Sequence, residues 1–401
     1  MSSSLHRNNM KYSKTLTNWC VGLVILPCSV VAAEWSVESG AELRSGFDDN
    51  IRLATESGES VRSETFAPSM VLSRNTPLSL VAVGARLRFT RYSGDGMRDT
   101  NVQYLNFSSQ YRQARASWSV KGLFKRDTTL TTIAEPDILA DDVVDVDEGL
   151  IRVLVRRSRI DVEPFWNRSL TEKMSIRLGY RLRDVSYSNA GDTGLVDYQR
   201  KELRAVLAQE LSRKDKISVT TLYSQYEAPG AGTETDGNGL VLAMNREFRP
   251  TMRGRASIGY RKSSSVSADT QETESSDITW RIGLEKKYSD VTSYRVSLGR
   301  GLNSSGAGRV VKSDRLRFRV KKKITPLLAA NVKGYALRNK VLEGESGSID
   351  RTIYRVDLGL RKTLSRYWSL NADYRYRWQK NAGKRSSARS NAIFVGVRYK
   401  S

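Results

Sequence analysis

The chain has 401 residues, 66 Lys plus Arg against 43 Asp plus Glu, a net charge of +23 and a mean hydropathy of −0.48. Those values alone would suit a soluble protein that binds nucleic acid. Both cysteines, Cys20 and Cys28, and the only histidine, His6, fall in the first 33 residues. The rest of the chain therefore has no disulfide framework, no zinc site built on Cys or His, and no Ser-His or Cys-His catalytic pair. No metal or cofactor is implied.

Arg7, Lys11 and Lys14 precede an apolar run from Trp19 to Val31, which ends in Val31-Ala32-Ala33 before Glu34. This is the form of a secretory signal peptide, residues 1–33, with the mature chain starting at Glu34; Met10 is an alternative start. Pro27 before Cys28 argues against a lipoprotein box. The apolar run is too short for a spanning helix, and no later run reaches the roughly 18 residues one needs. The signal carries three of the basic residues and no acidic ones, so its removal leaves a net charge of +20.

From Glu34 onward the chain alternates with a period of two, the signature of strands with unlike faces. Glu34 to Phe47 puts Val37, Ala41 and Leu43 on one face, and Phe66, Pro68, Met70 and Leu72 share a face in the next strand. The third strand sets Val81, Val83, Ala85, Leu87 and Phe89 against Arg86 and Arg88. Strands near Asn101–Tyr111 and Arg115–Arg126 follow, and from there short turns alternate with longer polar loops. The turns lie at Thr171–Lys173, Ser212–Asp215, Arg249-Pro250, Ser289-Asp290, Thr325-Pro326 and Ser365-Arg366. The loops lie at Ser188–Gly194, Ala228–Gly237, Ser263–Ser276, Asn303–Arg309, Leu342–Asp350 and Asn381–Arg389. Asp314–Lys323 shows the pattern most plainly, with Leu316, Phe318 and Val320 opposed by Arg315, Arg317, Arg319 and Lys321.

Too few helical segments exist to cover so many apolar faces. The solution is an all-β, antiparallel up-and-down transmembrane barrel of about 18 strands over residues 34–401, apolar side to lipid and basic side to a wet lumen. Short turns then lie in the periplasm and longer loops outside the cell, in the outer membrane of a Gram-negative bacterium. Aromatic girdles are expected from outward residues such as Trp118, Tyr180, Tyr260, Trp280, Tyr354, Trp368 and Trp378. Asn391–Tyr399 looks like a C-terminal strand signal for the barrel-assembly machinery, although Lys400 and Ser401 follow the aromatic residue.

Several motifs in the first half carry a resemblance. They are Trp35, Phe47-Asp48-Asp49-Asn50-Ile51, Pro164-Phe165-Trp166 with Leu170, Tyr180, Asp184-Val185-Ser186-Tyr187 and Gly194-Leu195-Val196-Asp197-Tyr198. Together they resemble the outer-membrane β-barrel proteins of exopolysaccharide export systems, the β-barrel porin type 2 family. The resemblance implies a wide barrel that passes a secreted polysaccharide, working with a periplasmic or outer-membrane polysaccharide export protein and an inner-membrane polymerase system. It also supplies the outward direction of transport.

The inward cations are the candidate lumen and polymer-binding residues: Arg86, Arg88, Lys121, Arg152, Arg156, Arg177, Arg181, Arg183, Arg253, Arg255, Arg281, Arg295, Arg315, Arg317, Arg319, Lys321, Arg355, Arg361, Arg375 and Arg377. Arginine suits bidentate contact with carboxylate or sulfate, and a lumen lined with it concentrates anions. Inward acids such as Glu38, Glu202, Glu285 and Asp373 would pair with some of these cations, but the charge excess suggests that many stay unmatched.

Thr128–Gly149 breaks the rhythm and holds Glu135, Asp137, Asp141, Asp142, Asp145, Asp147 and Glu148. It reads either as a solvated or calcium-binding surface loop or as a gating loop that folds into the basic lumen. The leading function is a conduit for an acidic exopolysaccharide, with a general anion or nutrient porin as the alternative. No enzyme is expected, because histidine is missing and no carboxylate pair stands out. Nucleic acid is not an expected partner.

Overall fold

The computed structural model describes residues 34–55, 58–94, 97–129, 155–188, 193–267, 270–305, 309–341, 350–381 and 387–401. The expected signal segment 1–33, Arg152 and every acid of the candidate gating loop lie outside the described residues.

The described chain forms one antiparallel sheet of 18 strands. The first six are β1 (Glu34–Asp48), β2 (Val61–Asn75), β3 (Ser79–Ser93), β4 (Thr100–Arg112), β5 (Ala116–Thr128) and β6 (Arg156–Ser169). Then come β7 (Met174–Ser188), β8 (Tyr198–Glu210), β9 (Asp215–Ala228), β10 (Thr233–Arg249), β11 (Met252–Ser267) and β12 (Thr270–Ser289). The last are β13 (Thr292–Ser305), β14 (Arg309–Lys323), β15 (Leu328–Val341), β16 (Arg351–Thr363), β17 (Trp368–Asn381) and β18 (Ser387–Lys400). Each strand pairs with its neighbours in sequence, and β1 also pairs with β18 from Gly40↔Lys400 to Asp48↔Ala392. That pairing closes the sheet into a barrel and leaves it without an edge.

Register carries one facing consistently around the wall. Leu43, Phe66, Phe89 and Asn101 are successive partners, and so are Val296, Phe318, Gly334 and Val356. These rows point outward, and most of the large apolar side chains exposed on the described surface belong to such rows. At Gly334 the absent side chain makes room for a ring: a Cβ there would sit 1.8 Å from Phe318. Pro68 and Pro164 lie within strands, where each interrupts the pairing register on one side only.

The short turns share a device. In Leu170-Thr171, Leu211-Ser212, Ile324-Thr325 and Leu364-Ser365 the hydroxyl accepts the backbone N–H three residues on, at 3.0, 3.0, 3.0 and 3.2 Å. The residue before it donates its own N–H across the turn, as Leu170 does to the Met174 carbonyl at 2.8 Å. A hydroxyl side chain thus satisfies the groups that a tight reversal leaves over.

At the other end two expected loops, Ala228–Gly237 and Ser263–Ser276, are largely strand. Ser263–Ser267, Thr270–Ser276 and Thr233–Gly237 continue the ladder past the apolar zone. Both faces there are wet, so the alternation of apolar and polar residues disappears although the pairing does not. Hydroxyl pairs such as Thr235–Ser265 at 3.0 Å and Ser263–Ser275 at 3.3 Å link neighbouring strands.

On β17 the outward positions run from Trp368 to Trp378. Ten steps of about 3.4 Å at a tilt of about 40° give an apolar band roughly 26 Å tall. Trp368 stacks near Tyr399 at 5.2 Å at the lower border, and Tyr354 near Trp378 at 5.1 Å at the upper. A closed, even-stranded barrel with such a band is a β-barrel of the Gram-negative outer membrane.

The candidate site is an arginine-lined lumen

Of the cations expected to face the bore, Arg86, Arg88, Lys121, Arg177, Arg181, Arg183, Arg253, Arg255, Arg281, Arg295, Arg315, Arg317, Arg319, Lys321, Arg355, Arg361, Arg375 and Arg377 hold inward register positions. Arg156 does not. It pairs with Thr128 in the row that continues through Ser158 and Ile160, which faces outward, and it is exposed. The inward cations of β6 are Arg157 and Arg159, both buried. Arg156-Arg157-Ser158-Arg159 offers a cation on either parity, so the phase is set only by Ile160, Val162 and Trp166 further along.

The charge balance also differs from the expectation. More inward acids exist than the four expected, and several are shared between cations. Asp127 accepts two bonds from Arg157, each 3.0 Å, and lies 2.8 Å from Lys125 Nζ. Asp161 is held between Arg159 and Arg183, the latter at 2.8 Å, and Glu163 takes Arg181 at 2.6 Å. Glu202 is gripped by Arg204 and by Arg200 at 3.1 Å, with Arg261 at 4.0 Å. Glu42 bridges Arg86 at 3.2 Å and Arg398 at 2.8 Å. Sharing one carboxylate among several guanidinium groups is the arrangement in which a buried charge of either sign is tolerated.

The wall from β14 to β17 is different. Among the described residues its inward positions from Val311 onward carry eleven cations and two carboxylates, Asp357 and Asp373, whereas β6 to β8 carry seven cations and four. Register aligns these groups in rows. One runs Glu285, Arg295, Arg319, Lys333, Asp357, Arg375 across six strands. The next runs Arg317, Tyr335, Arg355, Arg377. Asp357 binds Arg355 at 2.6 Å and Arg375 at 2.8 Å, and Arg317 lies 5.9 Å over the Tyr335 ring. Among the described residues, Arg315 Nε and the Tyr335 hydroxyl find no hydrogen-bond partner. Along β14, Arg315, Arg317, Arg319 and Lys321 recur every second residue, one cation about every 7 Å of strand.

Two clusters sit at the outer end of the barrel, and both use motifs that carry the sequence resemblance. Val185, Tyr187, Leu195, Tyr198, Tyr226 and Ala228 form a buried apolar patch with Val155, and Val310 of the distant β14 packs against it. At the barrel seam Asp48 accepts Arg377 at 2.7 Å and the Ser390 hydroxyl at 2.7 Å. Asp49 accepts both the backbone N–H and the side-chain amide of Asn391, at 2.7 and 2.8 Å. Asn50 caps its own loop through Ala54 and bonds the Arg389 carbonyl. These motif residues therefore shape the mouth and fasten the first strand to the last.

No family model matches the chain, and no curated protein matches it. Among solved structures it is similar to the apoprotein form of the FrpB iron transporter from Neisseria meningitidis, with 8% identity, 91% of this chain and 81% of that one covered, and a TM-score of 0.47. It is also similar to BauA, the ferric preacinetobactin receptor from Acinetobacter baumannii, with 9% identity, 92% and 81% covered, and a TM-score of 0.46. OpdQ from Pseudomonas aeruginosa shares 11% identity over 92% of this chain and 99% of its own, with a TM-score of 0.43. Likenesses this distant add nothing to what the closed barrel itself establishes.

Chemically, the lumen offers rows of guanidinium groups with few acids on one side and a higher share of carboxylates among the cations on the other. Such a surface binds carboxylate, sulfate or phosphate groups reversibly and repels cations. The sequence pattern exposed the cations through their alternation. It could have exposed Arg159, Asp161 and Glu163 as well, had the phase of β6 been taken from its apolar end.

Proposed function

We propose that the barrel is a conduit through which an acidic exopolysaccharide crosses the outer membrane. The reading is carried by the β14–β17 wall, whose cations follow one another along the strand direction and outnumber their acids. A polymer with regularly spaced carboxylates can pass from one guanidinium to the next, each contact being exchanged as another forms. The resemblance of the first-half sequence motifs to those of exopolysaccharide-export barrels supports the polymer as cargo and the outward direction. In this reading a periplasmic export protein delivers the chain, the barrel-assembly machinery inserts the protein, and no step makes or breaks a bond in the cargo.

The test is deletion of the gene, with extracellular polysaccharide quantified by its uronic-acid and total-sugar content. Loss of secreted polymer with unchanged uptake of small anions supports the conduit. Normal polysaccharide with impaired uptake of small anions supports a general anion porin instead. In planar bilayers the reversal potential under a salt gradient should have the sign of an anion-selective pore, and cation selectivity would overturn both readings.

A further inference from the structure

The outer surface carries a charge asymmetry that transport through the lumen does not use. Just above the apolar band, the outward positions of β8 to β12 are mainly acidic, with Glu227, Glu234, Asp236 and Glu274 against Lys201 and Lys262. At the same level β15 to β18 present Arg338, Lys340, Lys380 and Arg389, all exposed. Asp314, which register sets directly opposite Arg338, is held by Arg300 in a two-point contact at 2.6 and 2.9 Å. Register sets Arg338 opposite Thr352 and Thr352 opposite Lys380, while Arg389 lies opposite Trp378. With strands about 4.8 Å apart, Arg338 and Lys380 stand on the order of 10 Å from each other, within the joint reach of two long side chains.

Directly beneath these cations lie Tyr354 and Trp378, and beneath those the exposed apolar side chains Leu358, Leu360, Ile393 and Val395. Cations, then aromatic rings, then a greasy slope form the profile of an amphiphile with an anionic head and several acyl chains. We infer that this arc of the barrel holds a phosphorylated glycolipid of the outer leaflet, lipopolysaccharide, by its phosphates. The aromatic pair seats the sugar–acyl junction, as interfacial rings do. Surface cations attract anionic lipid heads about five-fold each, so four acting on one headgroup make a retained lipid rather than a passing one.

The experiment uses the folded mature protein in detergent, titrated with bisphosphorylated lipid A, with the same lipid after phosphatase treatment, and with phosphatidylglycerol, bound lipid being read by native mass spectrometry. Bisphosphorylated lipid A should bind at least ten-fold tighter than either comparison lipid. R338Q/K340Q/K380Q/R389Q should weaken it several hundred-fold, and E234Q/D236N should leave it unchanged. If the quadruple variant fails the heat-modifiability test of folding, K380Q/R389Q makes the same test with an expected loss of about 25-fold. Equal binding of dephosphorylated lipid A or of phosphatidylglycerol overturns the inference. So does full retention by a folded variant.

Discussion

Asp127 offers a quantitative test of how the lumen tolerates so many cations. Its carboxylate is 1% exposed and receives two bonds from Arg157, itself 0% exposed, and one from Lys125. In Asp127→Asn the amide still accepts on one side but turns a donor toward two donors. Lys125 and Arg157 are then left on the order of 5 Å apart with no anion between them, a repulsion of about 3 kcal/mol at an effective dielectric of 20. With the lost charge-assisted bonds the cost should be about 3–5 kcal/mol, the range for breaking a buried pair. Arg157→Gln removes a partner of equal standing yet leaves Asp127 with Lys125, so it should cost only about 1.5–3 kcal/mol. D127N/R157Q should then be less damaging than the two single losses added. Equilibrium unfolding in guanidinium, followed by tryptophan fluorescence, measures all three, because Trp118 and Trp166 sit on the same strand pair. Equal costs for Arg157→Gln and Asp127→Asn, or a cost for Asp127→Asn below about 1 kcal/mol, the size of an exposed pair, would refute this role of Asp127.

Other consequences are simpler to check. R315Q/R317Q/R319Q/K321Q should shift the reversal potential toward that of a cation pore without loss of folding, read in planar bilayers. Arg156→Gln should change stability by less than about 0.5 kcal/mol, as surface substitutions do, and leave ion selectivity alone, whereas Arg159→Gln exposes Asp161 to a single partner and should alter both. Gly46→Val drives a Cβ to 2.3 Å from the Phe394 ring, which is sandwiched by Arg44 at 3.9 Å and Arg375 at 5.0 Å. Overpacking of this kind costs about 1–3 kcal/mol, and a lowered yield of heat-modifiable barrel would register it.

Strand order, facing and closure were largely legible because lipid and water impose opposite demands on successive residues. Where one demand lapses, so does the pattern. Ser263–Ser276 reads as a loop because both of its faces meet water above the band, yet hydroxyl pairing keeps it in the ladder. Arg156 reads as inward because the start of β6 carries cations on both parities, and only the apolar residues deeper in the strand decide between them. The distribution of charge was harder still. Which acid serves which cation depends on cross-strand register, and no linear pattern brings Glu42 of β1 to Arg86 of β3 and Arg398 of β18.

The contacts at Asp48 and Asp49 have a consequence for biogenesis. Their partners Arg377, Ser390 and Asn391 are made more than 320 residues later, so these long-range contacts cannot form through nearly the whole of synthesis. Only a polypeptide that has gained its last two ribbons can make them. A truncated product therefore combines an unzipped flank with the absence of these contacts, and both features distinguish it from finished material for any quality-control protease in the periplasm.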